Sequence, residues 1–203
     1  FAGNSLGLQP KKVKKLLDKE LSVWSRRGVL GQEERWIRFH ERFTEQTAIL
    51  VGALPTEVVV MNALTVNIHL LLISFYQPDK FKHKIIIEKD AFPSDHYAVQ
   101  SQIKLHGFDP KSSLIELVPR KGEKVLRHED IITSIKEHRD ELALVYLGGV
   151  NYYTGQSFDL ERITKSGKDI GAVVGFNLAH SVGNLFLNLH KWGVDFSAWC
   201  TYK

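Results

Sequence analysis

The sequence holds a single cysteine, Cys200, among its 203 residues. It therefore forms no internal disulfide, and a cysteine-based metal centre lacks its ligand set. No apolar run approaches the ~18 residues of a membrane span, and no secretory leader is visible. A cytoplasmic location follows as the default, with no membrane partner. The short signatures of several large enzyme classes are missing as well. No G-x-G-x-x-G follows an apolar run, and there is no G-x-x-x-x-G-K-[ST], which removes the main support for dinucleotide and P-loop readings. No G-x-S-x-G presents a hydrolase serine. The nine histidines are scattered without the H-E-x-x-H spacing of a helical zinc site, so no metal is expected.

Charge of one sign is scarce in excess. The formal net charge is +4, and part of it is local, in Lys11, Lys12, Lys14 and Lys15. No aromatic residues interleave them as a stacking platform needs, so they read as the solvated face of a helix, not a nucleic-acid site.

What is present is ordinary globular material, with 43% hydrophobic and 25% charged residues. The length suffices for one sizeable core. Residues 11–26 carry Val13, Leu16, Leu17, Leu21 and Trp24 at helical spacing behind Pro10. A second helix is predicted over 36–51. Short apolar runs follow at Val58–Val60, Ile85–Ile87, Leu114–Val118, Leu142–Leu147, Val173–Phe176 and Phe196–Cys200. Their length and β-branched content predict buried strands. Helical stretches lie between them near 65–76, 94–105, 128–138 and 159–169. The alternation predicts an α/β fold with a largely parallel sheet.

Open α/β sheets bind ligands beyond the carboxyl ends of their strands. The segments in that place are Asn62–Thr65, Lys89–Asp95, Gly148–Asn151, Asn177–His180 and Tyr202–Lys203. Each has a plain and a chemical reading. Thr65 is a natural N-cap, but the helix start it opens also suits a phosphate. Ser94 or Asp95 can simply cap a helix, while Phe92 can stack on a flat ring. Lys203 can be a solvated end or, desolvated, a Schiff-base amine. Composition does not choose between them.

Read together, the motifs are more specific. Phe1-Ala-Gly-Asn-Ser-Leu-Gly-Leu-Gln-Pro10, Met61-Asn-Ala-Leu-Thr-Val-Asn67, Ala91-Phe-Pro-Ser-Asp-His-Tyr97, Gly148-Gly-Val-Asn-Tyr-Tyr-Thr-Gly-Gln156, Gly175-Phe-Asn-Leu-Ala-His-Ser-Val-Gly-Asn184, and Trp192-Gly-Val-Asp-Phe196 through Tyr202-Lys203 resemble kynureninase in order and spacing. The resemblance covers the first half of such enzymes. It implies a fold-type I pyridoxal phosphate (PLP) enzyme that hydrolyses L-kynurenine, or 3-hydroxykynurenine, to anthranilate (or its 3-hydroxy form) and L-alanine, as a homodimer. Residues 1–45 are then an N-terminal helical segment and 46–203 a partial PLP-binding large domain. Neither Phe1 nor Lys203 reads as a natural terminus, and the missing half is expected to finish the sheet and help bind substrate. A truncated or impaired PLP-binding remnant is the alternative, and a desulfurase or aminotransferase a further one.

By the same resemblance, Lys203 matches the Schiff-base lysine and proton carrier, and Tyr202 a tyrosine that bonds the cofactor phosphate and relays a proton. Leu64 and Thr65 match the phosphate-binding turn, Phe92 the residue stacked on the ring, Ser94 and Asp95 the same cofactor loop, His180 a cofactor-contacting histidine, and Ser5 a residue near the substrate. Three positions depart from the family. Asn177 stands where an aspartate partners the ring nitrogen, Val29 where a histidine lines the substrate pocket, and Lys191 where an aspartate is common. The family aspartate matching Asp95 also lies toward the ring nitrogen, which implies partial compensation for Asn177.

Overall fold

The computed structural model describes residues 5–203; Phe1–Asn4, which open the first motif, lie outside it. Helix α1 (Val13–Arg27) forms where the periodicity predicts and ends on Gly28, whose N–H still bonds the Trp24 carbonyl and whose φ of +50° turns the chain out of the helix. It buries none of its residues, and Leu16, Leu17, Leu21 and Trp24 all stay exposed. What ties it down is polar: Glu20 accepts from Arg35 and from the Trp36 indole N–H. Lys11, Lys12, Lys14 and Lys15 are exposed, as the solvated-face reading expects.

The helix predicted over 36–51 is broken. A π turn (Gln32–Trp36) and a 3-10 turn (Phe39–Phe43) precede α2, which spans only Thr44–Val51. Phe39 and Phe43 pack edge to face, 5.5 Å apart, a pairing made within the tight turn. The strand predicted at Val58–Val60 does not form either. The segment is irregular, with Val58 packed on the core but no neighbouring strand to accept its backbone.

The remaining elements follow the predicted alternation. They are α3 (Leu64–Phe75), β1 (Lys84–Glu88), α4 (Pro93–Leu105), the single turn α5 (Pro110–Ser113), β2 (Leu114–Leu117), α6 (His128–Glu137), β3 (Leu142–Gly148), α7 (Leu160–Asp169), β4 (Val173–Asn177), the single turn α8 (Leu189–Trp192) and β5 (Phe196–Ala198). The five strands are all parallel, in the order β2-β1-β3-β4-β5. Burial on both faces explains why Ile85–Ile87 read as an unbroken apolar run. One face of the sheet packs on α6 and α7 through Ile131, Ile135, Ile163 and Phe176, the other on α3 and α4 through Ile68, Leu72, Val99 and Ile103.

The chain leaves β1 for β2 on one side and returns past β1 to β3 on the other. The strand order therefore reverses between β1 and β3, which opens a crevice at their carboxyl ends.

Candidate functional site

A cleft of about 1110 Å³ occupies that edge. Its walls come from the α3 start, the α4 start, the loops after β1, β3 and β4, and the tail after β5. The structure brings Leu64, Thr65, Phe92, Ser94, Asp95, Asn177, His180, Tyr202 and Lys203 into this one lining. Ser5 is exposed and does not line it, and neither does Val29. Helix α1, which lies between these two positions, buries none of its side chains. Lys191 is exposed on α8, outside the cleft.

The start of α3 is prepared by two asparagines. Asn62 sits in the left-handed region at φ +49°, which Asn tolerates better than most residues. Its Nδ2 donates to Asn67 Oδ1 (3.1 Å), while Asn67 Nδ2 donates to the Met61 carbonyl (2.8 Å). Ala63 is the N-cap, not Thr65, and no side chain caps the helix. Thr65 lies two residues past the N-cap, and its hydroxyl does not cap the first N–H groups. Those groups and the positive end of the helix dipole stay available to an anion.

The start of α4 differs from expectation in the same way. Phe92 is the N-cap residue, Pro93 follows it, and neither Ser94 nor Asp95 caps the helix. Proline at the first position needs no N–H partner. Asp95 turns inward and is 4% exposed. Its Oδ2 accepts from Asn177 Nδ2 at 2.8 Å, and Asn177 Oδ1 accepts from the Ala179 N–H at 3.0 Å. The other oxygen, Asp95 Oδ1, is buried without a partner. Burial pushes the Asp95 carboxyl up to about 6, against the opposing pull of Asn177, His96 and Lys203.

A stability prediction follows. Unfolded, this carboxyl ionises near its ordinary value; folded, it keeps its proton until about pH 6. The folded state binds the extra proton in that window, so stability falls as pH rises through it. His96, Lys203, Glu88 and Tyr146 are the titratable neighbours coupled to this charge. Asp95→Asn isolates the contribution. Between about pH 4 and about pH 6 the urea midpoint of the ligand-free chain should fall relative to that of the variant. A constant difference between the two across that range refutes it.

Lys203 and His180 meet at 3.0 Å, the amine donating to Nε2. Burial, then the Lys203 charge, holds His180 below its ordinary value, so the ring stays a neutral acceptor. Lys168 also lines the cleft, but its ammonium is paired with Asp195 at 2.6 Å. Lys203 forms no ion pair with a carboxylate among the described residues. Its Nζ lies 5.9 Å from the centroid of the Phe92 ring. The neighbouring Cys200 raises the Tyr202 phenol above its ordinary value, which keeps that hydroxyl a donor at neutral pH.

Glu88, Asn151 and Tyr152 contribute although the sequence analysis gave none of them a role. Glu88 ends β1 buried and accepts from the Gly148 N–H (3.2 Å) and from Asn151 Nδ2 (2.8 Å). Asn151 Oδ1 in turn accepts the N–H groups of Tyr153 and Thr154, which folds the loop after β3. That loop sets Tyr152 edge-on against Phe92, with centroids 5.2 Å apart and planes at 81°. The Phe92 ring is thus braced by an aromatic neighbour that also lines the cleft. An acid closing the Ile85–Ile87 run was the one signal available for Glu88.

The site can hold a flat, anionic, carbonyl-bearing molecule. It offers a lysine amine, an aromatic face, free helix N–H groups and a buried carboxylate oxygen. Comparison with known proteins gives the same direction. A kynureninase of Koribacter versatilis (strain Ellin345) is 57% identical over 206 residues, covering 100% of this chain and 49% of its own length. The chain therefore spans about half the length of the curated relatives it matches. The apo cysteine desulfurase of Thermococcus onnurineus NA1 has the same fold, with a TM-score of 0.79 at 24% identity, over 100% of this chain and 49% of that one. A C-DES mutant with glycine covalently linked to the PLP cofactor matches with a TM-score of 0.79 at 15% identity, over 98% and 51% of the two chains. The fold is that of the fold-type I large domain. From residue 8 to residue 203, this chain belongs to the Aminotransferase class-V family.

Proposed function

We propose that this chain is the cofactor-binding half of a kynureninase, which uses pyridoxal phosphate to hydrolyse L-kynurenine to anthranilate and L-alanine. 3-Hydroxykynurenine is the related substrate. The observation that carries the reading is the meeting of Lys203, His180, Phe92 and Asp95 in one cleft at the strand ends.

The residues fit the cofactor. Asp95 Oδ1 is a buried acceptor with no partner, the state expected of an oxygen kept for a ring N–H. The α3 start is uncapped, as a phosphate needs. Bound pyridoxal phosphate supplies an electron sink for the substrate Cα. The chain supplies the rest. Lys203 would hold the cofactor through its amine and would carry the proton at the substrate Cα. His180 accepts a hydrogen bond from that amine and orients it. Phe92, braced by Tyr152, keeps the ring flat. Leu64 and Thr65 present N–H groups to the phosphate, Tyr202 donates its hydroxyl there, and Ser94 flanks the ring beside Asp95. Ser5 is assigned to the substrate side. Residues 1–45 are the N-terminal segment and 46–203 the cofactor domain. A cytoplasmic homodimer completes the reading, with no nucleic-acid or membrane partner.

A cofactor-binding chain without turnover is the second reading, favoured by the uncharged Asn177 amide beside Asp95. One experiment separates the two. Pyridoxal phosphate added to the protein should give a visible absorption band that borohydride abolishes, and L-kynurenine should then yield fluorescent anthranilate. A band without anthranilate favours the binding chain. Alanine released from L-cysteine instead points to a desulfurase. No band at all overturns both cofactor readings.

A further inference from the structure

We propose that in this chain the acceptor for the cofactor's ring nitrogen is Asp95 on α4 alone, and that Asn177 on β4 is a positioning residue that aims it. The inference rests on the pyridoxal phosphate reading above and sharpens it.

The hydrogen bonds fix the orientation of Asn177. Its Oδ1 receives the Ala179 N–H at 3.0 Å, which forces Nδ2 toward Asp95, where it donates at 2.8 Å. A flipped amide would set N–H against N–H at one end and oxygen against a carboxylate at the other, two repulsive contacts in place of two bonds. The group that Asn177 turns away from Ala179 is thus a donor. A protonated pyridine nitrogen is also a donor and needs an acceptor. Asn177 has spent its oxygen on the backbone.

Asp95 has the complementary inventory. One oxygen is satisfied by Asn177, and the other is buried, without a partner, on a residue that lines the cleft. A buried carboxylate oxygen left unpaired is costly, and a cationic N–H is the partner that removes both the unpaired acceptor and the buried charge. The second buried carboxylate of the cleft, Glu88, is not free for this role, since Gly148 and Asn151 hold both of its oxygens. Asn177 thus fixes the rotation of the Asp95 carboxylate by bonding one oxygen, which leaves the other buried beside the cleft without a partner.

The test is a binding cycle between protein and ligand. Pyridoxal phosphate is compared with its 1-deaza analogue, in which C–H replaces the ring nitrogen. Affinities of the full chain for both are measured by equilibrium dialysis, for wild type, Asp95→Asn, Asn177→Ala and Asn177→Ser. Wild type should prefer pyridoxal phosphate by about tenfold or more, the range of a charge-assisted hydrogen bond. Asp95→Asn should bind the two ligands within about twofold of each other. Asn177→Ala should lose part of the preference, and Asn177→Ser, which keeps a short hydroxyl donor, should recover some of it. A preference intact in Asp95→Asn overturns the proposal. So does an equal loss of affinity for both ligands, because that marks a structural role. Wild type that binds both without preference sinks the Asp95 assignment alone. Wild type that binds neither sinks the cofactor reading with it.

Discussion

Lys203→Ala should abolish the borohydride-sensitive visible band and lower anthranilate release by about 10³-fold or more. Two lysines line the cleft, and their surroundings differ. Lys168 is held by Asp195, whose second oxygen also receives the Val174 N–H, so moving Lys168 would strip a partner from a backbone anchor. Lys203 faces His180, a neutral acceptor that neither neutralises the amine nor blocks its reaction. The variant also removes the group assigned to carry the proton at Cα, which is why rate falls further than affinity. Added methylamine should restore part of the turnover by replacing the missing amine in the vacated space. A band that survives in Lys203→Ala and vanishes in Lys168→Ala would reassign the lysine.

Gly175→Val should destabilise the fold by about 3 kcal/mol and lower the melting temperature by roughly 6–12 °C. A Cβ at position 175 would stand 2.2 Å from the ring of Phe196, less than any real contact allows. That ring cannot easily yield. It packs on Phe75 at 5.0 Å and stacks over Tyr146 at 6.1 Å, both on the α3/α4 side of the sheet. Phe196 is also the register partner of Gly175, so displacing the ring pulls β5 from β4. The lysine-bearing tail follows directly, and cofactor affinity should fall along with stability. Gly175→Val with Phe196→Leu should recover part of both, a non-additive pair that marks direct contact. An unchanged melting temperature in the single variant would show that β5 is not held as described.

Much of this was legible in the chain. The runs at Ile85–Ile87, Leu142–Leu147 and Val173–Phe176 announced strands because burial on both faces leaves no polar alternation to confuse the reading. Val58–Val60 looks the same locally and forms no strand, since pairing depends on a neighbour that local sequence does not specify. The helix predicted over 36–51 failed because Phe39 and Phe43, four residues apart, read as one α-helical face although a 3-10 turn holds them. The gathering of the loop residues at one edge followed from parallel topology. Which way each side chain turned did not. Asp95 sits where a capping residue belongs, and only the three-dimensional approach of Asn177 draws it inward. Ser5 and Val29 were placed at the substrate by family resemblance, and neither lines the cleft.

The edge position of β5 carries a consequence for how the site is made. Synthesis runs from the amino end, and domains assemble as they emerge, at about 5–20 residues each second. Strands β1, β3 and β4 form the middle of the sheet and come off the ribosome before β5. Every other wall of the cleft lies upstream of the tail that follows β5. The α3 start, the Phe92 ring and the buried Asp95 carboxylate therefore leave the ribosome before the Lys203 amine that shares their cleft. Among the described residues, the Lys203 amine joins surroundings made before it.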